Sequence, residues 1–339
     1  MPIDWRRQRA LRLAWGTAIC LTASFGLGLP VPILAPIFAV LLLAARTQPL
    51  PLRMAPILSL MVLFSAGSGL LLIPLLRYAA VAGVLLVGVG LFLCFRFSLR
   101  GGNSLLSTFL VIGLTMVSSA GVGDFTLALS VVEAMAKGML LAVLSVSLSH
   151  HLFPEPLGAP DLPTPPLPER EQSTWIALRA TFIVLPAFLL ALIAPQYFMP
   201  LVMKSVSLGQ QSCETSVRQA GRELVGSTLM AGILAISLWS LLSLFVHLWM
   251  FFLLGLLFAL LQARRLYKVV PTRQSPGYWV NCLSTMLILL GQSVQDSAMG
   301  EDVYRAFAVR MLLFLAVALY ACAMVYLLES RSRSRVGDT

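Results

Sequence analysis

The stretch VMKSVSLGQQ, residues 202–211, contains a lysine, two serines and two glutamines in a chain that is dominated by apolar stretches. A charged side chain near the centre of a bilayer costs about 2.5–3.5 kcal/mol on insertion scales, so Lys204 needs a partner, water or a function. A lysine surrounded by hydroxyl and amide groups can bind an organic anion. Alternatively, these side chains hold their helix to its neighbours. The candidate anion-binding residues are Lys204, Ser205, Ser207, Gln210, Gln211 and, further along the chain, Arg310.

A second set of charged residues could carry protons. Glu133 and Lys137 are four residues apart, so on a helix they share one face and can pair. Two interpretations remain open: a structural ion pair between helices, or a carboxylate whose affinity for a proton is poised by the lysine. Asp296 and Asp302 are possible proton relays near the periplasmic end of a transport path.

Composition decides what kind of protein must position these residues. Of 339 residues, 58% are hydrophobic and 11% are charged, which is typical of an integral membrane protein. The net charge of +10 belongs to basic residues that bracket apolar runs, so we expect no nucleic-acid partner. Catalytic and metal-binding patterns such as GxSxG and HExxH do not occur in the sequence. We therefore expect no enzyme, no cofactor and no metal.

Apolar runs near the length needed to cross a bilayer predict an all-α protein of about twelve transmembrane helices. Positive charges alternate between the loops, which predicts that both termini are cytoplasmic. The predicted spans are 8–28, 31–46, 54–73, 76–96, 103–121, 126–149, 174–194, 198–212, 220–241, 245–263, 277–293 and 302–328. The cytoplasmic cations are Arg6, Arg7, Arg9, Arg46, Arg53, Arg96, Arg100, Arg170, Arg218, Arg222, Arg264, Arg265, Lys268, Arg273, Arg331, Arg333 and Arg335. Two more arginines within spans, Arg12 and Arg179, lie close enough to a cytoplasmic end to snorkel.

The chain also has an internal repeat. Short matches recur in the same order, the longest being AMAKGMLL at 134–141 and AFAVRMLL at 306–313. This pattern predicts a first six-helix repeat at 1–153, a proline-rich cytoplasmic linker at 154–173, and a second repeat with a short basic tail at 174–339. Because six is even, the two repeats are parallel, and a path would form between them. Spans two and eight are short and proline-interrupted, which favours a binding site at mid-membrane depth.

Three long runs in the second half carry a family resemblance: LRATFIVLPAFLLALIAPQYFMPLVMKSVSLGQQ, AGRELVGSTLMAGILA, and YKVVPTRQSPGYWVNCLSTMLILLGQSVQDSAMGEDVYRAFAVRMLLFLA. In the first half, ALRLAWGTAICLTASFGLGLPVPILAPIFAVLL adds to it. The element R-x-x-x-G-[ST] occurs at Arg222, Gly226 and Ser227. These runs resemble the fusaric acid resistance superfamily of aromatic acid exporters (FUSC-like), in its short bacterial branch known mainly as a domain of unknown function. The resemblance covers nearly the whole chain and is strongest over 174–328.

The resemblance implies proton-driven efflux of small aromatic or amphipathic organic anions across the bacterial inner membrane. It also implies a periplasmic adaptor of the membrane-fusion type and an outer-membrane channel as partners, in addition to membrane lipid. A homo-oligomer is compatible with it. Two alternatives remain: a passive anion channel, and a membrane scaffold for an envelope assembly that transports nothing.

Overall fold

The computed structural model describes residues 4–156, 158–160, 170–214, 219, 221–245 and 247–336. The side chains of 170, 171, 214 and 329–336 lie outside this description. So do several parts of the predictions above, namely Arg218, the middle of the linker (161–169) and the side chains of Arg170, Arg331, Arg333 and Arg335.

The described chain consists of helices and short connections, without a strand. The α-helices are α1 (Trp5–Gly26), α2 (Leu34–Ala45), α3 (Met54–Gly67), α4 (Ile73–Tyr78), α5 (Ala80–Leu99), α6 (Ser104–Ile112), α7 (Ser118–Gly123), α8 (Phe125–Leu152), α9 (Arg170–Ile193), α10 (Pro195–Glu214), α11 (Gly226–Leu242), α12 (Leu248–Leu266), α13 (Pro276–Ala298) and α14 (Val303–Val336). A 3₁₀ turn, Ser68–Leu72, joins α3 to α4, and π-helical turns occupy Gly113–Val117 and Gly221–Val225.

Local sequence explains several helix starts. Asp4 caps α1 by accepting a hydrogen bond from the Arg6 amide, and Asn103 caps α6 in the same way. At α13, the Ser275 side chain accepts from the Tyr278 amide, and Pro276 occupies the first turn, where an N–H has no partner within the helix. Every predicted span contains a helix, but the predicted linker ends too late, because α9 begins at Arg170 rather than after residue 173.

Eight helical stretches in the described residues are long and apolar enough to cross a membrane. They are Met54–Tyr78, Ala80–Leu99, Ser104–Gly123, Phe125–Leu152, Gln172–Ile193, Gly221–Leu242, Leu248–Leu266 and Val303–Leu328. Helix α2 is apolar but has only 12 residues, in agreement with the short second span. These helices indicate a multi-pass membrane protein, whereas the count of twelve spans stays a prediction.

The chain forms two compact units, each built from three separate segments. Unit 1 comprises residues 1–60, 133–164 and 229–309. In it, α1 packs against α2 and α12, and Trp15 meets Phe252 edge to face at 5.5 Å. Gly291 of α13 allows close approach to α2, since a Cβ at this position would lie 2.1 Å from Ile33 Cγ1.

Unit 2 comprises residues 61–132, 165–228 and 310–339. Helix α9 packs along both α5 and α10. A buried apolar cluster joins α9, α10, the second π-helical turn and α14 through Ile183, Leu208, Leu224, Ala318, Ala321 and Val325. Each unit draws on both predicted halves of the sequence. The internal repeat stays a prediction.

Within each unit, helix ends that are predicted to lie on the same side of the membrane contact each other. In unit 1, Arg12 near the start of α1 donates to the Thr47 carbonyl after α2, and the Tyr267 hydroxyl after α12 donates to the Leu43 carbonyl. In unit 2, Arg77 at the end of α4 donates to the Gly121 carbonyl in α7 at 2.7 Å. This agreement supports the alternation of the loops, whereas the cytoplasmic position of the termini stays a prediction.

Candidate functional site

Lys204 lies on α10 and its side chain is completely buried in unit 2. The helix that carries it is longer than predicted, running over 20 residues from Pro195 to Glu214. The predicted interruption is wrong, because the helix continues through Pro200. A proline in the second turn removes one backbone hydrogen bond, and flanking turns can keep the helix continuous. Lys204 is therefore positioned by regular helix and not by broken backbone.

Close packing fixes α10 in place. A Cβ added at Gly209 would lie 3.1 Å from Val184 Cγ2 and 3.3 Å from Phe95 Cζ. Gly209 thus lets α9 and α5 approach α10. Both π-helical turns, Gly113–Val117 and Gly221–Val225, also contact α10. Such turns are frequent at functional sites because they insert one residue and shift the side chains that follow.

The predicted polar neighbours of Lys204 divide into two groups. Ser205 is buried and donates to the Val202 carbonyl of its own helix at 2.8 Å. The two glutamines reach other elements of unit 2: Gln210 Nε2 donates to Thr108 Oγ1 at 2.8 Å, and Gln211 Nε2 donates to the Glu223 carbonyl at 3.4 Å. The glutamines therefore also hold α10 to neighbouring elements, as the alternative interpretation of these polar residues predicts.

The remaining predicted anion-binding residues are less buried. Ser207 on α10 and Arg310 on α14 are both half-buried, and both belong to the same unit as Lys204. Each makes further interactions in the described structure. The structure therefore assigns all six predicted anion-binding residues to unit 2.

Two polar residues of unit 2, Glu223 and Thr108, were missed by the sequence analysis, and a third, Arg179, was given a different role. Arg179 is buried and donates through Nη2 to the Ser212 carbonyl, which holds α9 against the last turn of α10. This contact contradicts the predicted snorkelling of Arg179, because the guanidinium is bound inside the unit. Among the carboxylates of unit 2 whose side chains the structure describes, Glu223 alone is buried. Its place inside R-x-x-x-G-[ST] could have drawn attention to it, whereas nothing in the sequence marks Thr108.

The predicted proton-coupling residues all belong to unit 1. Lys137 donates to Glu133 as the i, i+4 spacing predicts, and each side chain of this pair is about half exposed, at 55% and 52%. Asp296 is completely buried near the end of α13. Asp302 is exposed and caps α14, where its Oδ1 accepts from the Tyr304 amide at 3.1 Å.

Comparison with known families bears on the first part of the chain. Residues 9–149 match the model of a family described as "Protein of unknown function (DUF2955)". The match lies within the first predicted repeat and covers less than half of the chain. Neither a curated protein nor a solved structure matches the sequence. The exporter resemblance, which is strongest over 174–328, is not confirmed by this match and stays a prediction.

Proposed function

We propose that the protein transports small organic anions across the membrane and that Lys204 binds the anion. The export is proton-driven and directed out of the cytoplasm across a bacterial inner membrane, with a periplasmic adaptor as partner. These finer points rest on the exporter resemblance alone.

The observation that carries the proposal is the complete burial of the Lys204 side chain in the interior of a multi-pass membrane protein. Burying an ammonium group is costly, and such residues in membrane proteins mark substrate or ion pathways. Amide groups at Gln210 and Gln211 follow on the same helix, and Arg179 on α9 adds a second buried cation to the unit. Two buried cations and flanking amides suit a carboxylate better than a neutral or cationic substrate.

The competing explanation is that Lys204 only pairs with a buried carboxylate. Glu223 lies in the same unit, on a π-helical turn that contacts α10. A purely structural pair would make Lys204 essential for folding and irrelevant to the flux of the folded protein. The two explanations therefore differ in the transport activity of a folded Lys204 variant.

The test uses purified protein in liposomes with an imposed proton gradient and radiolabelled benzoate as the aromatic carboxylate. Wild type is compared with Lys204→Gln, Lys204→Arg and Lys268→Gln, after each variant elutes as a monodisperse species. Lys268 is exposed after the end of α12 and provides a lysine-to-glutamine control outside unit 2. We expect uphill uptake by wild type and by Lys268→Gln, loss in Lys204→Gln and partial retention in Lys204→Arg.

Other outcomes separate the alternatives. Flux that only runs downhill, and is unaffected by the proton gradient, supports a passive anion channel with Lys204 in its pathway. Equal uptake by wild type and Lys204→Gln assigns Lys204 to helix packing and removes it from the site. Absence of uptake by every protein, with and without a gradient, contradicts transport by this chain alone.

A further inference from the structure

Two buried arginines meet one glutamate at a single end of unit 1. Arg9 and Arg12 lie one helical turn apart near the start of α1, and only 5% and 2% of their surfaces are exposed. Glu155 follows the end of α8, 143 residues further along the chain than Arg12. All three residues belong to unit 1, so the cluster is internal to one compact body.

The Glu155 carboxylate is held by both guanidinium groups. Arg9 Nε donates to Oε1 at 2.6 Å, and Arg12 Nη2 donates to Oε2. Further hydrogen bonds attach the arginines to the backbone, from Arg9 to the Pro160 carbonyl at 2.7 Å and from Arg12 to the Thr47 carbonyl at 2.9 Å. Burial raises the pKa of Glu155, but the bonds from Arg9 and Arg12 outweigh it and the pKa lies below its ordinary value.

The arginines have more capacity for anions than this one carboxylate uses. A narrow cleft beside the cluster is lined by both arginines and by Arg46, Thr47 and Tyr267. Arg12 Nε is buried, and it has no hydrogen-bond partner within the described part of the chain. Three arginines thus line this cleft, and among the described carboxylates Glu155 is the one that pairs with two of them, Arg9 and Arg12. An excess of positive charge and an unused donor both favour a further oxyanion.

We propose that Arg9 and Arg12 form a binding site for a small oxyanion, a carboxylate or a phosphate, and that Glu155 is its built-in occupant. The glutamate side chain stands in for the carboxylate of a free ligand, which binds by displacing it. Displacement releases Glu155 from α1, because the exchanged carboxylate carries the bonds of this residue to Arg9 and Arg12. The site is separate from the candidate site around Lys204 and does not depend on the proposed transport.

Tethering sets the concentrations at which exchange occurs. A group on a short tether competes at an effective concentration in the millimolar range. Free acetate should therefore exchange with Glu155 in wild type only at tens of millimolar. When the tethered carboxylate is removed, acetate should bind at least about tenfold more tightly.

The experiment is chemical rescue of Glu155→Gln, purified in detergent, with the unfolding midpoint Tm as readout. Losing one partner of a buried ion pair leaves uncompensated charge, so Tm should fall by roughly 5 °C relative to wild type. Acetate or inorganic phosphate should restore most of this loss, compared with chloride at equal ionic strength. Mixed micelles containing phosphatidylglycerol form a third arm, in which rescue without any free oxyanion identifies a lipid headgroup as the source of the phosphate.

Two controls protect the interpretation. Glu133→Gln breaks an exposed ion pair on α8, so oxyanions should not raise its Tm. The double variant Arg9→Gln/Glu155→Gln should lose most of the Tm rescue by oxyanions.

A second readout covers the case that Glu155→Gln does not fold. In wild type, 100 mM acetate should raise amide hydrogen exchange of the peptide 151–159 above its level in chloride. Unchanged exchange, or a Glu155→Gln Tm that responds to oxyanions no more than the Glu133→Gln Tm, overturns the proposal.

Discussion

The side chain of Gln210 donates to Thr108 Oγ1 at 2.8 Å, across 102 residues of sequence. Thr108 in turn donates to the Ser104 carbonyl of its own helix at 2.8 Å, so its hydroxyl proton is already used and its oxygen is the acceptor for Gln210. This chain of hydrogen bonds ties α10 to α6 inside unit 2. It holds the amide of Gln210 at a defined place on the helix that carries Lys204.

Replacing Thr108 by valine tests this connection. The variant keeps the shape of the side chain but removes the acceptor, so the half-buried Gln210 amide loses a hydrogen bond worth about 1 kcal/mol. Under the proposed function, we expect the KM for benzoate uptake to rise about fivefold, with a small loss of stability. Thr108→Ser retains the acceptor and should behave as wild type. An unchanged KM in Thr108→Val would exclude Gln210 from the binding of the anion.

Gly69 permits a close contact within unit 2. A Cβ at this position would lie 2.0 Å from the Gly113 carbonyl oxygen, which belongs to the π-helical turn that contacts α10. Because backbone atoms cannot rotate away, Gly69→Ala must shift one of the two segments at a cost of about 1–3 kcal/mol or more. Thermal unfolding in detergent should show a lowered Tm.

Gly67 offers the matched control for this substitution. It lies two residues earlier in the same unit, and an added Cβ would meet nothing within 4 Å. Alanine at the end of α3 also has the better helix propensity, so Gly67→Ala should leave Tm unchanged or raise it slightly. If both variants lowered Tm equally, the close contact at Gly69 would not be the cause.

Acid should weaken the Arg9–Glu155–Arg12 cluster in a predictable window. The pKa of Glu155 in the folded protein lies below the ordinary value of 4.5, because its hydrogen bonds to Arg9 and Arg12 outweigh the effect of burial. A carboxylate with a depressed pKa stabilises the fold fully above its unfolded pKa and loses that contribution as the pH falls through its folded pKa. The Tm difference between wild type and Glu155→Gln should thus be constant from pH 7 to about 5.5 and shrink below pH 4.5. A difference that stays constant at every pH at which the protein remains folded would show that Glu155 acts by its shape and not by its charge.

Much of the fold is accessible to sequence reasoning because local signals determine it. Apolar runs of near-span length located the helices of the described residues, since a segment inside a membrane must satisfy its own backbone hydrogen bonds. The pairing of Glu133 with Lys137 followed from spacing alone. These features depend on residues within a few turns of one another.

The remaining features depend on contacts that spacing does not reveal. Arg12 was expected to snorkel, but it is buried against Glu155, a residue of the proline-rich linker far along the chain. The π-helical turns insert a single residue into otherwise regular helices, and hydrophobic periodicity does not resolve such an insertion. Each compact unit combines three segments, whereas sequence order groups residues only by their position along the chain.

Proton coupling through Glu133 is the final prediction. If this carboxylate carries the proton that drives export, its isosteric amide cannot titrate, so Glu133→Gln should abolish the proton efflux from the lumen that benzoate stimulates in inverted vesicles. Glu301→Gln is the control, because Glu301 is an exposed acid of the same unit.

The double variant Glu133→Gln/Lys137→Gln separates proton coupling from ion pairing. It removes the unpaired lysine that the single variant leaves behind, so a structural role predicts recovered proton flux and a coupling role predicts none. Full proton efflux in Glu133→Gln would remove this residue from the mechanism and leave its pair with Lys137 as a structural contact on α8.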